Sequence, residues 1–548
     1  MKSNWWQNTV IYQIYPRSFY DSNGDGIGDL RGIWQKLDYV ASLGVDAVWI
    51  SPFYPSPMAD FGYDVTDYCG IDPIFGTLED FKAVLQKAHQ LNLKVLIDQV
   101  WCHTSDQHPW FIESCQDRTN PKADWYIWVD GDEDGQPPNN WLAVFGGSAW
   151  TWHPGRQQYY LHHFLQEQPA LNWYNSGLEQ AMLDVGRFWL ELGVDGFRFD
   201  AINFLMHDIQ LRDNPLRPAD SPLPAGASRQ VPFYDLINYY SNNQDITYDK
   251  MKTIRCVLDE YPGCIGLAEI CCTEDALGDA NKAISPQRFH LAYNSSLMTD
   301  EPLTPDYLQQ IIAEAAALIK KGGLCWTAGT HDFPRIASRW HSYLHHDQFD
   351  QESFNYMLAV LLLTLPGSCC LYQGDELGLP EAEITFEQMQ DPFGIKYYPD
   401  FLGRDGCRTP MPWVSQAPQY GFTDYSKPWL PVALSHKQLA VDVQESQTNS
   451  LLNKYRQLIK WRRQQPALRQ SLNIRVIETA PGLFGYVRGE DTATPLLFLL
   501  NFTDQTVIQQ YDTLPRYTPV KDIYTGNTRL FDDRLEIPSY GLLMGQLQ

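Results

Sequence analysis

Paired-cysteine motifs are missing from this sequence. Its 11 cysteines are an odd number, no Cys-x-x-Cys occurs, and the adjacent pairs Cys271-Cys272 and Cys369-Cys370 are badly placed for disulfides. A disulfide framework of the kind found in small secreted domains is therefore excluded. The pattern predicts reduced thiols, most of them filling the core, and a cytoplasmic location.

Long apolar segments are also missing. Residues Met1–Trp6 contain no apolar core of a signal peptide, and the apolar run Met357–Pro366 is too short to span a bilayer. The sequence therefore predicts a soluble protein without a membrane anchor.

Basic residues are scarce relative to acidic ones. The 548 residues include 41 Lys and Arg against 66 Asp and Glu, which gives a formal charge of −25. Such a charge disfavours binding to nucleic acid and to anionic membranes. The expected partner is a neutral or cationic small molecule, and the length allows two to four domains.

Strand-like apolar runs alternate with helix-like amphipathic segments over most of the chain. Helical periodicity is clear at Leu78–Leu91, Leu178–Leu192 and Asp306–Lys320. This alternation predicts an α/β fold with a parallel sheet, and eight runs favour a (β/α)8 TIM barrel, a number that also rests on the family resemblance given below. The predicted strands are Val10–Tyr15, Val45–Ile50, Leu93–Ile97, Val194–Phe199, Cys264–Ala268, Phe289–Tyr293, Leu324–Ala328 and Ser368–Leu371.

Changes in composition predict the domain boundaries. Residues 104–173, rich in Trp, Tyr, Gly and Pro, are predicted to be a domain inserted after the third strand. The barrel then comprises residues 1–103 and 174–466, with a loop-rich excursion at about 379–435. From residue 467 to 548, short strands separated by turn residues predict a C-terminal β-sandwich. The proline-rich stretch Arg212–Arg229 is predicted to be a loop over the barrel mouth.

The stretch Gly193–Ala201 is an apolar strand that ends in charged residues. Arg198 and Asp200 lie two residues apart, so they share one side of the strand. We expect Arg198 to keep Asp200 ionised, and an ionised carboxylate at a strand end can act as a nucleophile. For an isolated Arg-x-Asp, a structural ion pair would be the better interpretation.

Similar polar residues end other predicted strands. Asp98 ends the third strand and is followed by His103, Glu269 ends the fifth strand, and His331-Asp332 ends the seventh. In a parallel barrel these ends meet at one face, where active sites assemble. Several carboxylates with an arginine and histidines suit glycoside hydrolysis by a nucleophile and an acid/base.

Motifs along nearly the whole chain resemble glycoside hydrolase family 13, the α-amylase superfamily, in its α-glucosidase and oligo-1,6-glucosidase branch. The matching segments are Val10–Phe19, Ser56–Asp64, Asp98–His103, Gln168–Trp173, Gly196–Asp200, Glu269, His331–Asp332 and Gly403–Trp413. The resemblance implies a TIM barrel with an inserted domain after strand 3 and no organic cofactor.

The resemblance also implies roles for individual residues. Asp200 is the expected nucleophile, Glu269 the general acid/base and Asp332 the transition-state stabiliser. Expected substrate-binding residues are Tyr63, His103, Arg198 and His331 in the −1 subsite, the pair Asp60 and Arg404 that closes the pocket, and the wall residues Phe145, Phe164, Gln168 and Arg335. For the last four, ordinary packing or loop hydrogen bonding is an equally good interpretation.

Three positions bear on substrate preference. The residue after the nucleophile is Ala201, and in this branch a small residue there resembles enzymes with α-1,4 preference. Cys102 and Thr330 stand where the family usually has asparagine. These two departures concern substrate positioning and leave the expected chemistry unchanged.

The loop Asp21–Asp29 places oxygen ligands at every second residue. Asp21, Asn23, Asp25, the Ile27 carbonyl and Asp29 resemble a calcium loop, although a glycine replaces the usual glutamate at the twelfth position. The expected cofactor is a structural Ca²⁺ or Mg²⁺. A Gly/Asp turn without a metal is the alternative interpretation.

Together these features predict a retaining, exo-acting α-glucosidase that acts on short α-glucosides as a monomer or homodimer. A transglucosidase or a sucrose isomerase is the alternative within the same class. A non-catalytic relative, such as the amino-acid transporter heavy chains with this fold, is disfavoured because all three carboxylates are present.

Overall fold

The alternating segments fold into three groups of elements: a parallel barrel, a small sheet and a C-terminal pair of sheets. The computed structural model describes residues 4–340, 350–520 and 527–548. Its strands are β1 (Val10–Ile14), β2 (Ala47–Ile50), β3 (Lys94–Gln99), β4 (Trp128–Val129), β5 (Trp150–His153), β6 (Gln158–Leu161), β7 (Gly196–Phe199), β8 (Ile265–Ile270), β9 (Leu291–Asn294), β10 (Cys325–Thr327), β11 (Ser368–Tyr372), β12 (Ile474–Ile477), β13 (Leu483–Arg488), β14 (Leu496–Asn501), β15 (Val507–Gln510), β16 (Tyr517–Pro519), β17 (Arg529–Leu530), β18 (Arg534–Ile537) and β19 (Leu542–Leu547). Its helices are α1 (Leu30–Ser42), α2 (Leu78–Gln90), α3 (Pro109–Ser114), α4 (Ser176–Leu192), α5 (Asp245–Asp259), α6 (Ala276–Ala283), α7 (Pro305–Glu314), α8 (Ala316–Lys321), α9 (Ile336–Arg339), α10 (Gln351–Thr364), α11 (Pro392–Tyr397), α12 (Val441–Glu445), α13 (Leu451–Gln464) and α14 (Pro466–Arg469).

The barrel confirms the predicted fold class. Eight strands pair in the order β10-β11-β1-β2-β3-β7-β8-β9, and every pairing is parallel. A parallel bridge between Ala292 and Leu324 joins β9 to the segment before β10 and closes the barrel. Each predicted strand overlaps one of these eight.

The chain entering β7 shows how local sequence places the central arginine. The Asn175 side chain caps α4 by accepting from the Gly177 and Leu178 N–H groups, and Gly193 ends the helix with a left-handed φ of 100°. All four residues of β7 are buried, because the strand lies between β3 and β8. The helix and its caps therefore fix where the strand that carries Arg198 begins.

Two further groups of strands lie outside the barrel. β4, β5 and β6 form a three-stranded antiparallel sheet between β3 and β7 in the chain, within the predicted inserted domain. The C-terminal part has a five-stranded sheet, β12-β13-β14-β19-β16, and a three-stranded sheet, β15-β18-β17. Apolar residues from both C-terminal sheets pack together, as in the predicted β-sandwich. The predicted loop Arg212–Arg229 contains no helix or strand.

The described residues contain neither a membrane-spanning helix nor a disulfide bond. Within 4–340, 350–520 and 527–548, no helix is both long enough and apolar enough to cross a bilayer. All 11 cysteines fall in these ranges, and none is bonded to another.

Gly196 gives a test of the barrel at the start of β7. Its φ is 145°, and a Cβ there would lie 2.2 Å from the Ile265 carbonyl oxygen of β8. We expect Gly196→Ala to lower the free energy of unfolding by on the order of 3 kcal/mol, because the strand would have to move. Urea titration followed by tryptophan fluorescence measures this.

Gly263→Ala is the matched control for that substitution. Gly263 also has a positive φ, 90°, but no atom lies within 4 Å of its would-be Cβ. Its replacement should cost only about 1 kcal/mol of backbone strain. Equal losses in the two variants would contradict a steric role for Gly196.

Candidate active site

Arg198 in β7 lies buried among three carboxylates at the carboxyl end of the barrel strands. Its Nη1 donates to Asp98 Oδ1 at 2.6 Å and to Asp200 Oδ1 at 2.7 Å. Its Nη2 lies 2.5 Å from Glu269 Oε2. Asp98 and Arg198 are register partners in neighbouring strands, so the barrel itself sets their contact. One guanidinium therefore holds Asp200 and Glu269 side by side.

This cluster has more negative than positive charge. Burial raises the pKa of Asp200 well above its ordinary value and that of Asp98 to about 6, while Arg198 acts in the opposite direction. The expectation that Arg198 keeps the pKa of Asp200 low was therefore wrong: Arg198 does act to lower it, but desolvation and the neighbouring carboxylates outweigh this one cation. The cluster favours retention of a proton near neutral pH.

Glu269 in β8 is held by two further groups. The Tyr293 hydroxyl donates to Glu269 Oε1 at 2.9 Å, and the Ala201 N–H donates to Oε2 at 2.8 Å. Tyr293 in β9 is the register partner of Glu269. Ala201 has a left-handed φ of 38°, directly after Asp200. This turn aims the Ala201 N–H at Glu269.

Asp332 lies in a different electrostatic environment. Its Oδ1 accepts from Arg404 Nη1 at 3.0 Å and from Arg408 Nη2 at 2.9 Å, and its Oδ2 is 3.3 Å from His331 Nε2. Burial acts to raise the pKa of Asp332, but these three neighbours outweigh it and hold the pKa well below its usual range. Asp332 is therefore ionised at neutral pH.

Arg404 joins three carboxylates from separate loops. Besides Asp332, its Nη2 donates to Asp60 Oδ1 at 2.8 Å and to Asp391 Oδ1 at 2.9 Å. The guanidinium lies over the Phe145 ring, 4.8 Å from its centroid. The sequence-predicted pair of Asp60 and Arg404 is thus in direct contact.

The histidines and aromatic rings form a continuous lining beside these charges. Tyr63 stacks on His331 with ring centroids 5.3 Å apart, and its hydroxyl donates to Asp98 Oδ2 at 3.1 Å. His103 Nε2 lies 3.0 Å from the Tyr63 carbonyl oxygen. Burial lowers the pKa of His103 to about 4 and that of His331 to about 3, so both rings are neutral at pH 7.

Three of the four expected wall residues join this lining, and one does not. Phe164 packs edge-on against His103 and Phe145, and Gln168 donates to Asp60 Oδ2 at 3.1 Å. Arg335, by contrast, is buried, and its Nη1 donates to the Gln373 carbonyl oxygen at 3.0 Å. For Arg335 the alternative of ordinary packing describes its contacts.

Comparison with known proteins agrees with this geometry. The sequence profile described as alpha amylase, catalytic domain, matches residues 13–471. The chain belongs to the alpha-amylase family. A probable alpha-glucosidase of Rhizobium meliloti (strain 1021) is 44% identical over 545 residues, which cover 99% of this chain and 97% of that protein. An oligo-1,6-glucosidase of Parageobacillus thermoglucosidasius is 35% identical over 538 residues, covering 93% of this chain and 92% of that protein.

A solved structure extends the family comparison to three dimensions. The crystal structure of an alpha-glucosyl transfer enzyme, XgtA, matches with a TM-score of 0.95 and 46% identity, covering 100% of both chains. Family membership and these relatives make the protein a glycoside hydrolase.

Three residues of this alpha-amylase-family site were not singled out from the sequence. Tyr293 binds Glu269 and Arg198, Arg408 binds Asp332, and Asp391 binds Arg404. Arg408 falls within the motif Gly403–Trp413, so its spacing of four from Arg404 was an available signal. Nothing in the sequence around Asp391 marked it.

Cys102 and Thr330, which stand where the family usually has asparagine, each contact a neighbouring residue. The Cys102 Sγ lies 3.3 Å from His103 Nδ1, and the Asp332 N–H donates to Thr330 Oγ1 at 3.2 Å. Each side chain thus contacts the neighbouring expected site residue. Both contribute polar groups at the place where the asparagines would lie.

The predicted metal loop has the oxygen donors that a hard cation prefers, and its two buried carboxylates accept hydrogen bonds from backbone N–H groups: Asp21 from Gly24 and Gly26, and Asp29 from Ser22 and Gly32. Asp21 and Asp29 are buried, and neither forms an ion pair with a basic side chain among the described residues. Burial raises the pKa of Asp29, and Asp21 adds to this effect. Asn23, Asp25 and the Ile27 carbonyl supply further oxygens. In the described ranges, His, Cys, Asp and Glu side chains alone form no metal-binding group, so the set depends on Asn23 and the carbonyl.

Arg404 provides a test of the charge balance in the site. Arg404→Gln should leave Asp391, which is fully buried, without its cation and cost on the order of 3–5 kcal/mol of unfolding free energy at pH 7. Arg404 helps to lower the pKa of Asp391, so the stabilisation is present above the ordinary Asp range and is lost as pH falls through the lowered value.

Thermal unfolding of wild type and Arg404→Gln between pH 2 and pH 8 measures this. The difference between the two should be largest near neutrality and shrink below about pH 4, where Asp391 takes up a proton. Arg187→Gln, which breaks an exposed pair with Glu260, is the control and should change stability little at any pH. A pH-independent difference for Arg404→Gln would contradict the assignment.

Proposed function

We propose that the protein is a retaining, exo-acting α-glucosidase that removes the terminal glucose from short α-glucosides and also transfers it to acceptors. The observation that carries this is the guanidinium of Arg198, which bridges Asp200 and Glu269 at the barrel mouth. Retaining enzymes need such a carboxyl pair about 5 Å apart. Names among the relatives, alpha-glucosidase, oligo-1,6-glucosidase and alpha-glucosyl transfer enzyme, support the substrate class.

The first step is attack by Asp200 on the anomeric carbon. Asp200 Oδ1 accepts from Arg198, which leaves Oδ2 as the oxygen that forms the ester bond. The bond from the anomeric carbon to the leaving oxygen breaks, and Glu269 gives its proton to that oxygen. This step needs Asp200 ionised and Glu269 protonated, so the proton that the buried cluster retains has to lie on Glu269 when Asp200 attacks.

In the second step water, or another hydroxyl, attacks the glucosyl ester. Glu269 takes the proton from the attacking oxygen, the ester bond to Asp200 breaks, and the two inversions restore the α configuration. The ionised Asp332 and the neighbouring neutral His331 are placed to bind sugar hydroxyls and to stabilise positive charge at the anomeric centre. When an alcohol attacks in place of water, the same step transfers the glucosyl group to that alcohol.

Exo action follows from the closed end of the pocket. Asp60, Arg404 and Gln168 are linked by hydrogen bonds, and Phe145 covers the guanidinium. A chain of glucose units could not pass through this side. We propose an α-1,4 preference from Ala201, whose small side chain follows the nucleophile.

Transglucosylation or sucrose isomerisation is the second candidate. It is favoured by the similarity to XgtA and by an isomaltulose synthase from Erwinia rhapontici NX5, whose structure matches with a TM-score of 0.87 and 29% identity. Initial rates and products on maltose, isomaltose, trehalose and sucrose distinguish the candidates. Isomaltulose or trehalulose as the main product from sucrose would favour the isomerase.

Asp200→Asn should lower kcat on maltose by on the order of 10⁴-fold, because no ester intermediate can form. Glu269→Gln should lower kcat strongly on maltose and less on an aryl glucoside, whose leaving group needs less protonation. The control is Asp184→Asn, an exposed residue paired with Arg187, which should keep wild-type rates.

Proton NMR should show α-glucose as the first product. β-Glucose first, or undiminished hydrolysis by Asp200→Asn, would contradict the mechanism.

We also propose that the loop Asp21–Asp29 binds Ca²⁺ or Mg²⁺ in a structural role, through Asp21, Asn23, Asp25, Asp29 and the Ile27 carbonyl. The loop lies between β1 and α1 and contacts the segment near Lys427, since the Trp429 N–H donates to the Gly26 carbonyl at 3.0 Å. A cation would neutralise its buried carboxylates and hold these segments together.

Removal of the metal should therefore lower thermal stability. At about 100 times its dissociation constant, a cation adds about 2.7 kcal/mol to the folded state. Melting temperatures in EDTA, in CaCl₂ and in MgCl₂ measure the effect and rank the two ions. Asp21→Asn should abolish most of the response, whereas Asp134→Asn, in an exposed acidic loop, should keep it. Identical melting temperatures in EDTA and in both salts would contradict the proposal.

A further inference from the structure

Tyr293 occupies a position in the site that the mechanism above does not use. Its side chain is buried, and its hydroxyl lies between Arg198 and Glu269. Arg198 Nε is 3.0 Å and Nη2 is 2.6 Å from the hydroxyl oxygen, and Glu269 Oε1 is 2.9 Å away. The parallel register of β8 and β9 places Tyr293 opposite Glu269, so the contact follows from the barrel.

The direction of these hydrogen bonds is fixed by chemistry. A guanidinium has only donors and keeps its proton, so both Arg198 nitrogens donate to the Tyr293 oxygen. Those two bonds use the acceptor capacity of the hydroxyl. Its one proton is then directed at Glu269 Oε1.

Glu269 is surrounded by donors on both oxygens. Oε1 accepts from Tyr293, while Oε2 accepts from the Ala201 N–H and faces Arg198 Nη2. In the part of the chain that the structure describes, the hydrogen bonds and the ion pair of these oxygens all come from donors. This arrangement suits an ionised carboxylate, and it leaves no bonded position for the proton that an acid must hold. A protonated Glu269 has to give up at least one of these bonds.

We propose that Tyr293 is a positioning residue that favours the ionised form of Glu269 and thereby sets the upper pH limit of the first step. The inference rests on the proposed acid/base role of Glu269. Tyr293 touches neither the anomeric carbon nor the leaving oxygen in this mechanism. It acts through the oxygen that it binds.

The charged groups around Glu269 have opposing effects on its charged form. Arg198 favours the charged form, whereas Asp200 and Asp98 oppose it. The neighbouring thiols Cys102 and Cys271 have pKa values raised well above the ordinary range, chiefly by burial for Cys102 and by Cys272 for Cys271, so they carry no charge at neutral pH. Tyr293 is the neutral donor in this set, and its hydroxyl can be removed without changing the net charge.

The test is the pH dependence of kcat/KM for Tyr293→Phe on maltose, whose leaving group needs the proton from Glu269. Loss of the donor makes Glu269 easier to protonate, so the upper limb of the profile should move to higher pH by about one unit. Tyr486→Phe is the matched control, because this buried hydroxyl in β13 pairs with Thr364 Oγ1 at 2.5 Å. Its profile should superimpose on that of the wild type.

A second replacement keeps the ring and the hydroxyl. 3-Fluorotyrosine at position 293, introduced by amber suppression, is a more acidic phenol and a stronger donor. The upper limb should then move to lower pH, opposite to the shift in Tyr293→Phe. This variant tests the proposal even if Tyr293→Phe does not fold.

The outcomes separate this proposal from the proposed function. An upper limb that stays at its wild-type position in both variants would overturn the role of Tyr293. So would movement of the lower limb alone, which would mean that the hydroxyl acts through Arg198 on Asp200. Glu269→Gln is measured in parallel: if it keeps full activity on maltose, the acid/base assignment itself is wrong.

Discussion

The structure depends on one buried guanidinium shared among several carboxylates. Arg198 contacts Asp98, Asp200 and Glu269 within hydrogen-bond distance, and all of them lie inside the closed barrel. Like charges so close together in a low-dielectric interior repel one another strongly, and a cation between them is needed to keep them together. The barrel meets this need by placing Arg198 opposite Asp98 in register. The barrel interior can therefore hold three neighbouring carboxylates, which could not be buried together without this cation.

The second cluster of charges has the opposite balance. Asp332 is bound by Arg404 and Arg408 and lies beside His331, so cations outweigh burial and the carboxylate stays ionised. Around Arg198, carboxylates are in excess and the pKa of Asp200 is raised. One pocket thus contains a region that keeps a proton and a region that does not. Acid catalysis and stabilisation of positive charge require this division.

Much of the site could be predicted from short stretches of sequence. Arg198 and Asp200 are on one side of a strand because side chains alternate, and the strand ends meet at one face because parallel strands point the same way. His331 and Asp332 followed from the same reasoning. The contact of Asp60 with Arg404 came from the family resemblance. Arg335 shows the limit of that approach, since the resemblance suggested a wall residue but its buried guanidinium donates to the Gln373 carbonyl.

The amino-acid sequence by itself determined the alternation of strands and helices, the identity of the carboxylates and the excess of negative charge. Those properties are local or compositional, so they can be read without knowing which segments are neighbours. Tertiary structure alone decided the protonation balance of Asp200 and the contact of Tyr293 with Glu269. Both depend on burial and on the register between neighbouring strands, which bring together residues that the chain separates. The physical reason is that desolvation and hydrogen bonding act over a few ångströms in space, whatever the distance along the sequence.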